Sequence, residues 1–322
     1  MATVTTGLPL EILQDILHRV KCTQSDVASL CLVSRSWYFA AIEFLYEAPK
    51  FTTYTSLKVF LGSFGHRNIG FIKSLNFSGM GNEVHSDSLA QITAAYQRYN
   101  DLSPIRPPLT RLNLHGCWHI SDSSLIALLT ACAANLDTLV INQCEKITTC
   151  SLFVLATYSP NLRHLSLRMT RALPPSDRLH HIFKYQRLQS LDLSYCTWVM
   201  QDTLSNDISH IPTIRALYLH SCNILGPALA AFVATMPALE ELDISRMMLL
   251  TDNEIAEVMR AGKRLRRVSM QWTLAGEKTV RVMAEEAEKW EAVDCEWSKI
   301  DVGHVQQMLP GARIGKLEMR IR

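Results

Sequence analysis

Apolar side chains recur along this chain in one nine-residue phrase. It reads Leu109-x-x-Leu112-x-Leu114-x-x-Cys117, then Leu136-x-x-Leu139-x-Ile141-x-x-Cys144. The phrase returns at Leu162, Leu188, Ile214, Leu239, Leu265 and Trp290, giving eight copies at steps of 25 to 27 residues. In each copy the fourth and sixth places alternate with their neighbours, the pattern of a short strand. One such strand cannot bury its apolar side alone. Stacked copies, with strands ~4.8 Å apart, build a parallel sheet over a continuous core. Eleven places after each of the first six starts comes a further apolar residue: Ile120, Ile147, Leu173, Val199, Leu225 and Leu250. Helices are expected next, carried by Leu125 and Leu128, Leu152 and Leu155, and Ile255 and Val258. Thr251-Asp252-Asn253-Glu254 is a capping box that starts one of them.

The ends of the array are less regular. Ile72-x-x-Leu75-x-Phe77 predicts a first strand, with Met80 in the ninth place. An insertion before Leu109 holds an amphipathic stretch (Leu89, Ile92, Tyr96) and a proline-rich loop at 104–108. Pro174-Pro175 interrupt the third regular copy and predict a helix from Ser176-Asp177. Ile314-x-x-Leu317-x-Met319 predicts a last strand, whose Glu318, Arg320 and Arg322 discourage edge-to-edge pairing.

Residues 8–47 differ in kind. Leu10, Leu13, Ile16, Leu17 and Val20 predict one apolar helical face. Ser25-Asp26 predicts the cap of a second helix bearing Val27, Leu30, Leu32 and Val33. A third begins at Ser34-Arg35-Ser36-Trp37, with Phe39, Ile42, Phe44, Leu45 and Tyr46 behind it. About 40 residues is the size at which a domain stops holding itself together. Three short helices cannot hide so many large apolar groups, so Leu8, Pro9, Ile12, Leu32 and Trp37 are expected outside, at a protein interface. Leu57, Val59, Phe60, Leu61 and Phe64 in the following junction are expected to seal the first rung.

Composition narrows the partners. The 322 residues are 48% hydrophobic and carry a net charge of +2, which gives no general affinity for nucleic acid or membrane. The first fourteen residues lack the basic start and apolar core of a signal peptide, so cytosol or nucleus is expected. Nine cysteines, an odd number, include Cys117, Cys144, Cys196 and Cys222 in the ninth place of the phrase. They are read as reduced, space-filling thiols, and no metal-ligand spacing surrounds them. Lys263-Arg264-Leu265-Arg266-Arg267 is basic, but Leu265 anchors a repeat and splits the run. No phosphate loop, nucleophile elbow or zinc-protease motif is present, so no catalytic role and no cofactor or metal is expected.

Two resemblances follow from these residues. Leu8-Pro9-x-Glu11-Ile12-x-x-x-Ile16 with Leu30-x-Leu32-Val33-Ser34-Arg35-x-Trp37 resembles an F-box, although Val27 stands where that family more often has leucine. The nine-residue phrase resembles the cysteine-containing leucine-rich repeats often joined to F-boxes. The resemblance implies an α/β chain: a three-helix F-box (1–48), a junction and cap (49–71), and a right-handed leucine-rich-repeat solenoid (72–322) with its parallel sheet on the concave face. It implies docking of a Skp adaptor, and through it a cullin, by Leu8, Pro9, Ile12, Ile16, Leu32, Val33 and Trp37. The solenoid would hold a substrate protein for ubiquitin ligation; the alternative is a repeat scaffold acting without the ligase.

Residues between the strand anchors face the concave side. The candidates for binding there are Arg111, His115, His164, Arg168, Asp192, Tyr218, His220, Glu241, Asp243 and Gln271. Early rungs are basic or histidine-bearing and later ones lean acidic, interrupted by Arg267. A partner with charges in the opposite order is expected. Arg111 and Arg168 would suit a phosphate.

Overall fold

The structure is a computed structural model that describes residues 8–51, 53–63, 66–170, 187–199 and 211–317. Three helices come first: α1 (Leu10–Arg19), α2 (Gln24–Cys31) and α3 (Arg35–Glu47). The junction holds α4 (Tyr54–Ser63) and α5 (His66–Ile69). Strands and helices then alternate: β1 (Ser74–Asn76), α6 (Ser86–Leu102), β2 (Arg111–Asn113), α7 (Asp122–Cys132), β3 (Thr138–Val140), α8 (Thr149–Tyr158), β4 (His164–Ser166), β5 (Ser190–Asp192) and β6 (Ala216–Tyr218). The rest is α9 (Gly226–Ala234), β7 (Glu241–Asp243), α10 (Asp252–Ala261), β8 (Arg267–Ser269), α11 (Glu277–Ala284), β9 (Ala292–Asp294), α12 (Val302–Met308) and β10 (Arg313–Ile314). No described helix is long and apolar enough to cross a membrane.

The ten strands form one parallel sheet in chain order. Fourth-place residues pair in register, as in Leu112 with Leu139 and Leu139 with Leu165. First, fourth, sixth and ninth places are buried together, for example Leu109, Leu112, Leu114 and Cys117. Strands stack ~4.8 Å apart, whereas packed helices need ~8–10 Å. The stack must therefore bend with its sheet on the inner side.

Each rung is also tied to the next outside its strand. The eighth residue of every phrase has a positive φ: Gly79 and Gly116 first, then Gln143, Met169, Tyr195, Ser221, Arg246, Trp272 and Trp297. This left-handed turn aims its N–H at the seventh-place carbonyl one rung on, from Gly116 to Asn142 through Trp272 to Glu296, at 2.7–3.1 Å. The bond offsets the ~1–2 kcal/mol that a side chain loses in that conformation. Ninth-place thiols run the other way. Cys144, Cys196 and Cys222 donate Sγ–H to Leu114, Leu167 and Leu193 of the preceding rung, at 3.1–3.2 Å. All nine cysteines are free. Burial pushes Cys117 and Cys144 up to about 12 and Cys196 up to about 11, so these thiols stay protonated and unreactive.

Helix starts are braced across repeats as well. Thr251 and Glu254 form the expected capping box. Asp252, next to the cap, accepts from Gly276 N, Lys278 N and Thr279 Oγ1 of the following repeat. Asp122 does the same for Thr148 N and Oγ1.

The first rung is closed by the junction. Leu57 and Phe60 of α4 are buried on the main core, while Val59 is exposed. Phe51 stacks on Phe77 with centroids 5.5 Å apart. Lys50 bridges Asn76 in parallel fashion. Lys73 N donates to Glu47 O at 2.9 Å, and Lys73 Nζ reaches Glu47 Oε1 at 3.2 Å. The end of α3 is thus fastened to β1. In the insertion, Leu89, Ile92 and Tyr96 are buried along α6, as their spacing predicts.

Four details depart from the sequence reading. The cap of α2 is Thr23, not Ser25-Asp26; Asp26 instead closes the capping box from the third helical place. On α1 only Leu13 and Leu17 are buried, and Leu10 and Val20 face solvent, because two neighbouring helices cover too little of the face. Ile224 fills the place assigned to Leu225, which lies 45% exposed. Gly226 approaches Glu254 so closely that a Cβ would come within 2.3 Å of it, which fixes the chain's path and turns Leu225 out. The last strand starts three residues early: Ile314, not Leu317, pairs with Val293. The seven-residue α12 and buried Leu309 and Ala312 shorten that repeat. Phe64, the Leu173–His181 stretch and 318–322 lie outside the described residues.

Ile224→Ala should destabilise the chain by ~2–5 kcal/mol in urea unfolding, and Leu225→Ala by less than ~1 kcal/mol. Equal losses would restore Leu225 to the core.

Candidate protein-binding surfaces

The three N-terminal helices own a small core of Leu13, Leu17, Val27, Ala40 and Ala41. Ser34 caps α3 by accepting from Trp37 N. What that core cannot cover stands in solvent: Leu8 is 54% exposed, Ile12 47%, Leu32 87% and Val33 64%. Pro9 is exposed too. Phe39 is exposed as well. Trp37 and Ile16 are half-buried, and Trp37 packs against the small core. Its indole therefore holds the helices together, and the expectation that it lies outside is corrected.

The sheet's inner face forms an open groove of about 440 Å³. Its lining includes Asn113, His115, Asn142, Ser166, Arg168, Asp192, Ser194, Tyr218, His220 and Asp243. Arg111 is exposed at its edge, and His164 is half-buried. Burial lowers the His164 pKa, a pull that Asp137 partly offsets. The groove's polar groups largely satisfy one another. Asn142 Oδ1 accepts from Ser166 Oγ and Arg168 N. Tyr218 is buried and donates to Glu241 Oε1 at 2.8 Å, while Arg267 pairs with the same carboxylate at 2.5 Å. Gln271 donates to Asp294, which is itself fully buried. Tyr218, Glu241 and Gln271 are thus committed within the protein. Arg111 and Arg168 remain the most available charges of the predicted set, while Asp192 is part-exposed and accepts from Ser166 Oγ and Ser194 N.

His220 sits at the centre of this network. Its Nε2 is 2.8 Å from Tyr195 Oη, and Asp243 lies 3.9 Å from Nδ1. Burial, then the nearby Arg168 and Arg246, lower its pKa to about 4. At pH 7 the ring is neutral, so it shares a hydrogen bond with Tyr195 Oη and carries no charge to set against Asp243. Asp243 is itself raised, first by burial and then against bonds from Ser245, with Asp192 and Asp294 pushing further.

A second row of side chains escaped the sequence reading. The eighth-place residues project along one edge of the groove. Gln143 donates to Met169 Sδ at 3.1 Å, and Arg168 lies over Tyr195 at 4.9 Å. Further on, Arg246 lies 5.9 Å over Trp272, and Trp272 stacks on Trp297 with centroids 5.0 Å apart at 12°. Two glycines in that column, at 79 and 116, were the available signal, since glycine marks positive φ. No group of three or more His, Cys, Asp or Glu among the described residues is placed to hold a metal.

Comparison with known proteins gives two domain matches. A family described as F-box-like matches residues 5–51. The family described as FBD-associated F-box protein At5g56370, LRR repeats, matches residues 176–308. No curated protein matches the chain. Among solved structures, the crystal structure of the Rad7 and Elc1 complex in yeast is similar at a TM-score of 0.45 and 14% identity, over 95% of this chain and 90% of that chain.

In a pH titration followed by NMR, His220 should take up its proton near pH 4 instead of 6.5. The unfolded chain protonates first, so stability should fall as pH drops from about 6.5 towards 4. His220→Gln should flatten that part of the curve; an unchanged slope would place the effect elsewhere.

Proposed function

We propose that this chain, an F-box protein with leucine-rich repeats, is a non-catalytic substrate adaptor of a Skp-cullin-F-box ubiquitin ligase. One observation carries the reading. The three-helix module leaves Leu8, Ile12, Leu32 and Val33 in water while burying few large side chains of its own. A set of exposed apolar groups on so small a module is the mark of a protein interface. The Skp adaptor would cover it and connect the chain to a cullin. The groove of the repeat sheet would hold a substrate protein, through residues such as Arg168, Asp192, His115 and His220. Ubiquitin transfer would be done by other subunits. The chain's part is proximity, raising the effective concentration of a target lysine near the conjugating enzyme.

The fastening of α3 to β1 supports this reading, because a fixed angle between the two surfaces limits where a held substrate can reach. Nine free cysteines, six of them buried, fit the reducing cytosol or nucleus in which such a ligase works. The alternative, a scaffold that binds the adaptor but recruits no cullin, predicts that substrate levels do not rise when the chain is deleted.

Leu8→Asp combined with Leu32→Asp should abolish co-purification of the Skp adaptor and leave thermal unfolding within a few degrees of the parent, since neither side chain is in the core. Trp37 is left intact because it packs inside. Retention of the adaptor by this variant would overturn the docking assignment.

A further inference from the structure

The basic run Lys263-Arg264-Leu265-Arg266-Arg267 does not act as a unit, because the fold divides it. Leu265 enters the core. Arg267 turns to the groove and pairs with Glu241. Lys263, Arg264 and Arg266 go the other way, to the edge where the strands begin, opposite the eighth-place row. There they line a cavity of about 410 Å³ together with Lys289 of the next rung and Glu240 of the preceding one. Lys289 is held in place, since its Nζ pairs with Glu286 and lies 5.0 Å over the Trp290 ring.

The charges around this cavity do not cancel. Second-place residues alternate in sign and close among themselves: Arg215 pairs with Glu240 at 3.6 Å, and Arg266 with Glu291 at 3.0 Å. Glu286 is taken by Lys289, whose hydrogen bond and charge hold that carboxyl below its ordinary value, with Lys263 adding to the pull. Among the described residues, Lys263 and Arg264 make no ion pair of their own, and both are exposed. Glu285 and Glu288 stand on the chain just before Lys289, but they are exposed and do not line the cavity. The end of α10, just before Lys263, brings roughly half a negative charge, too little to balance both cations.

A carboxylate would bring one charge to two unpaired cations. A phosphate monoester carries roughly −1.5 to −2 at pH 7 and has three strong acceptor oxygens, which suits both the excess charge and the N–H forks of Arg264 and Arg266. Nucleic acid would need a track of cations along several rungs, whereas these converge on one recess. We propose that the cavity formed by Lys263, Arg264, Arg266 and Lys289 is a phosphate-binding site. Two sources carry that group, a phosphorylated side chain of a partner protein and a small soluble phosphate ester. The site lies outside both candidate surfaces described above and does not depend on the adaptor reading.

The test uses the full-length chain and fluorescence anisotropy with a labelled glycine–alanine peptide bearing one central phosphoserine. The same peptide with glutamate or serine at that place is the control. The phosphoserine peptide should bind, the glutamate peptide roughly tenfold weaker or worse, and the serine peptide not at all. Lys263→Gln combined with Arg264→Gln should weaken the phosphoserine peptide by roughly tenfold or more, and Arg264→Lys, which keeps the charge and loses the fork, by only a few-fold. Lys146→Gln removes an exposed positive charge on the opposite edge and should leave the affinity unaltered. Lys263 and Arg264 are outside the core, so the variants should fold, and an unchanged thermal unfolding curve verifies that. Unlabelled glycerol 3-phosphate should displace the peptide. A much weaker affinity than the peptide's assigns the site to a phosphorylated side chain, and a comparable one to a soluble ester. Glutamate binding as tightly as phosphoserine, an unaltered affinity in the double variant, or an equal loss in Lys146→Gln would overturn the proposal. Each of those results would leave adaptor docking intact.

Discussion

The constraint beneath everything else is that no single repeat can bury its own apolar edge. Each strand offers three or four anchors on one side, and only a neighbour ~4.8 Å away on each flank completes their cover. The bonds that fix this stacking are not confined to the strands. Eighth-place amides reach forward to the next rung, ninth-place thiols reach back, and Asp122 and Asp252 brace the helix starts of the following repeats. A parallel stack also has an exposed first edge. Here the edge is met by Lys50, Phe51 and the α4 side chains Leu57 and Phe60, so the N-terminal module is joined to the sheet as its cap.

This arrangement explains why the two candidate surfaces differ in character. The three-helix module has few buried groups, so its apolar excess stays outside and a partner must cover it. The repeat sheet has a complete core behind it, so its inner face is free to be polar. Most of that polarity is spent internally, in pairs such as Tyr218 with Glu241 and Gln271 with Asp294. What remains for a partner is concentrated in a few residues, at Arg111, Arg168 and along the edge that ends in Trp297.

Much of the architecture was legible because burial here is periodic. The first, fourth, sixth and ninth places could be assigned from one chain, and all ten strands stand where the phrase or its degenerate ends put them, within three residues. The misses have physical causes. Ile314, Leu317 and Met319 spell a better phrase than the small Gly311 and Ala312, but the short α12 sets the register before side-chain size can. Leu225 and Ile224 are equally apolar, and only the close approach of Gly226 to Glu254 decides which turns in. The eighth column was overlooked because its residues share no chemistry; what they share is a backbone conformation, visible only in Gly79 and Gly116. Trp37 was placed outside because three short helices cannot hide all their large apolar groups, and the size of its indole against so small a core puts it half inside. Likewise, periodicity assigns Tyr218 and Glu241 to the groove face without revealing that they satisfy each other.

The central claim is that both surfaces belong to one rigid body joined through the first rung. Pulsed electron paramagnetic resonance tests it most directly, with spin labels at Ser25 and Met248 after Cys22, Cys31 and Cys150 are replaced by serine. The remaining cysteines are buried and should not label. A single narrow distance distribution, unchanged when the Skp adaptor binds, is the predicted result. A broad or two-population distribution would contradict the account.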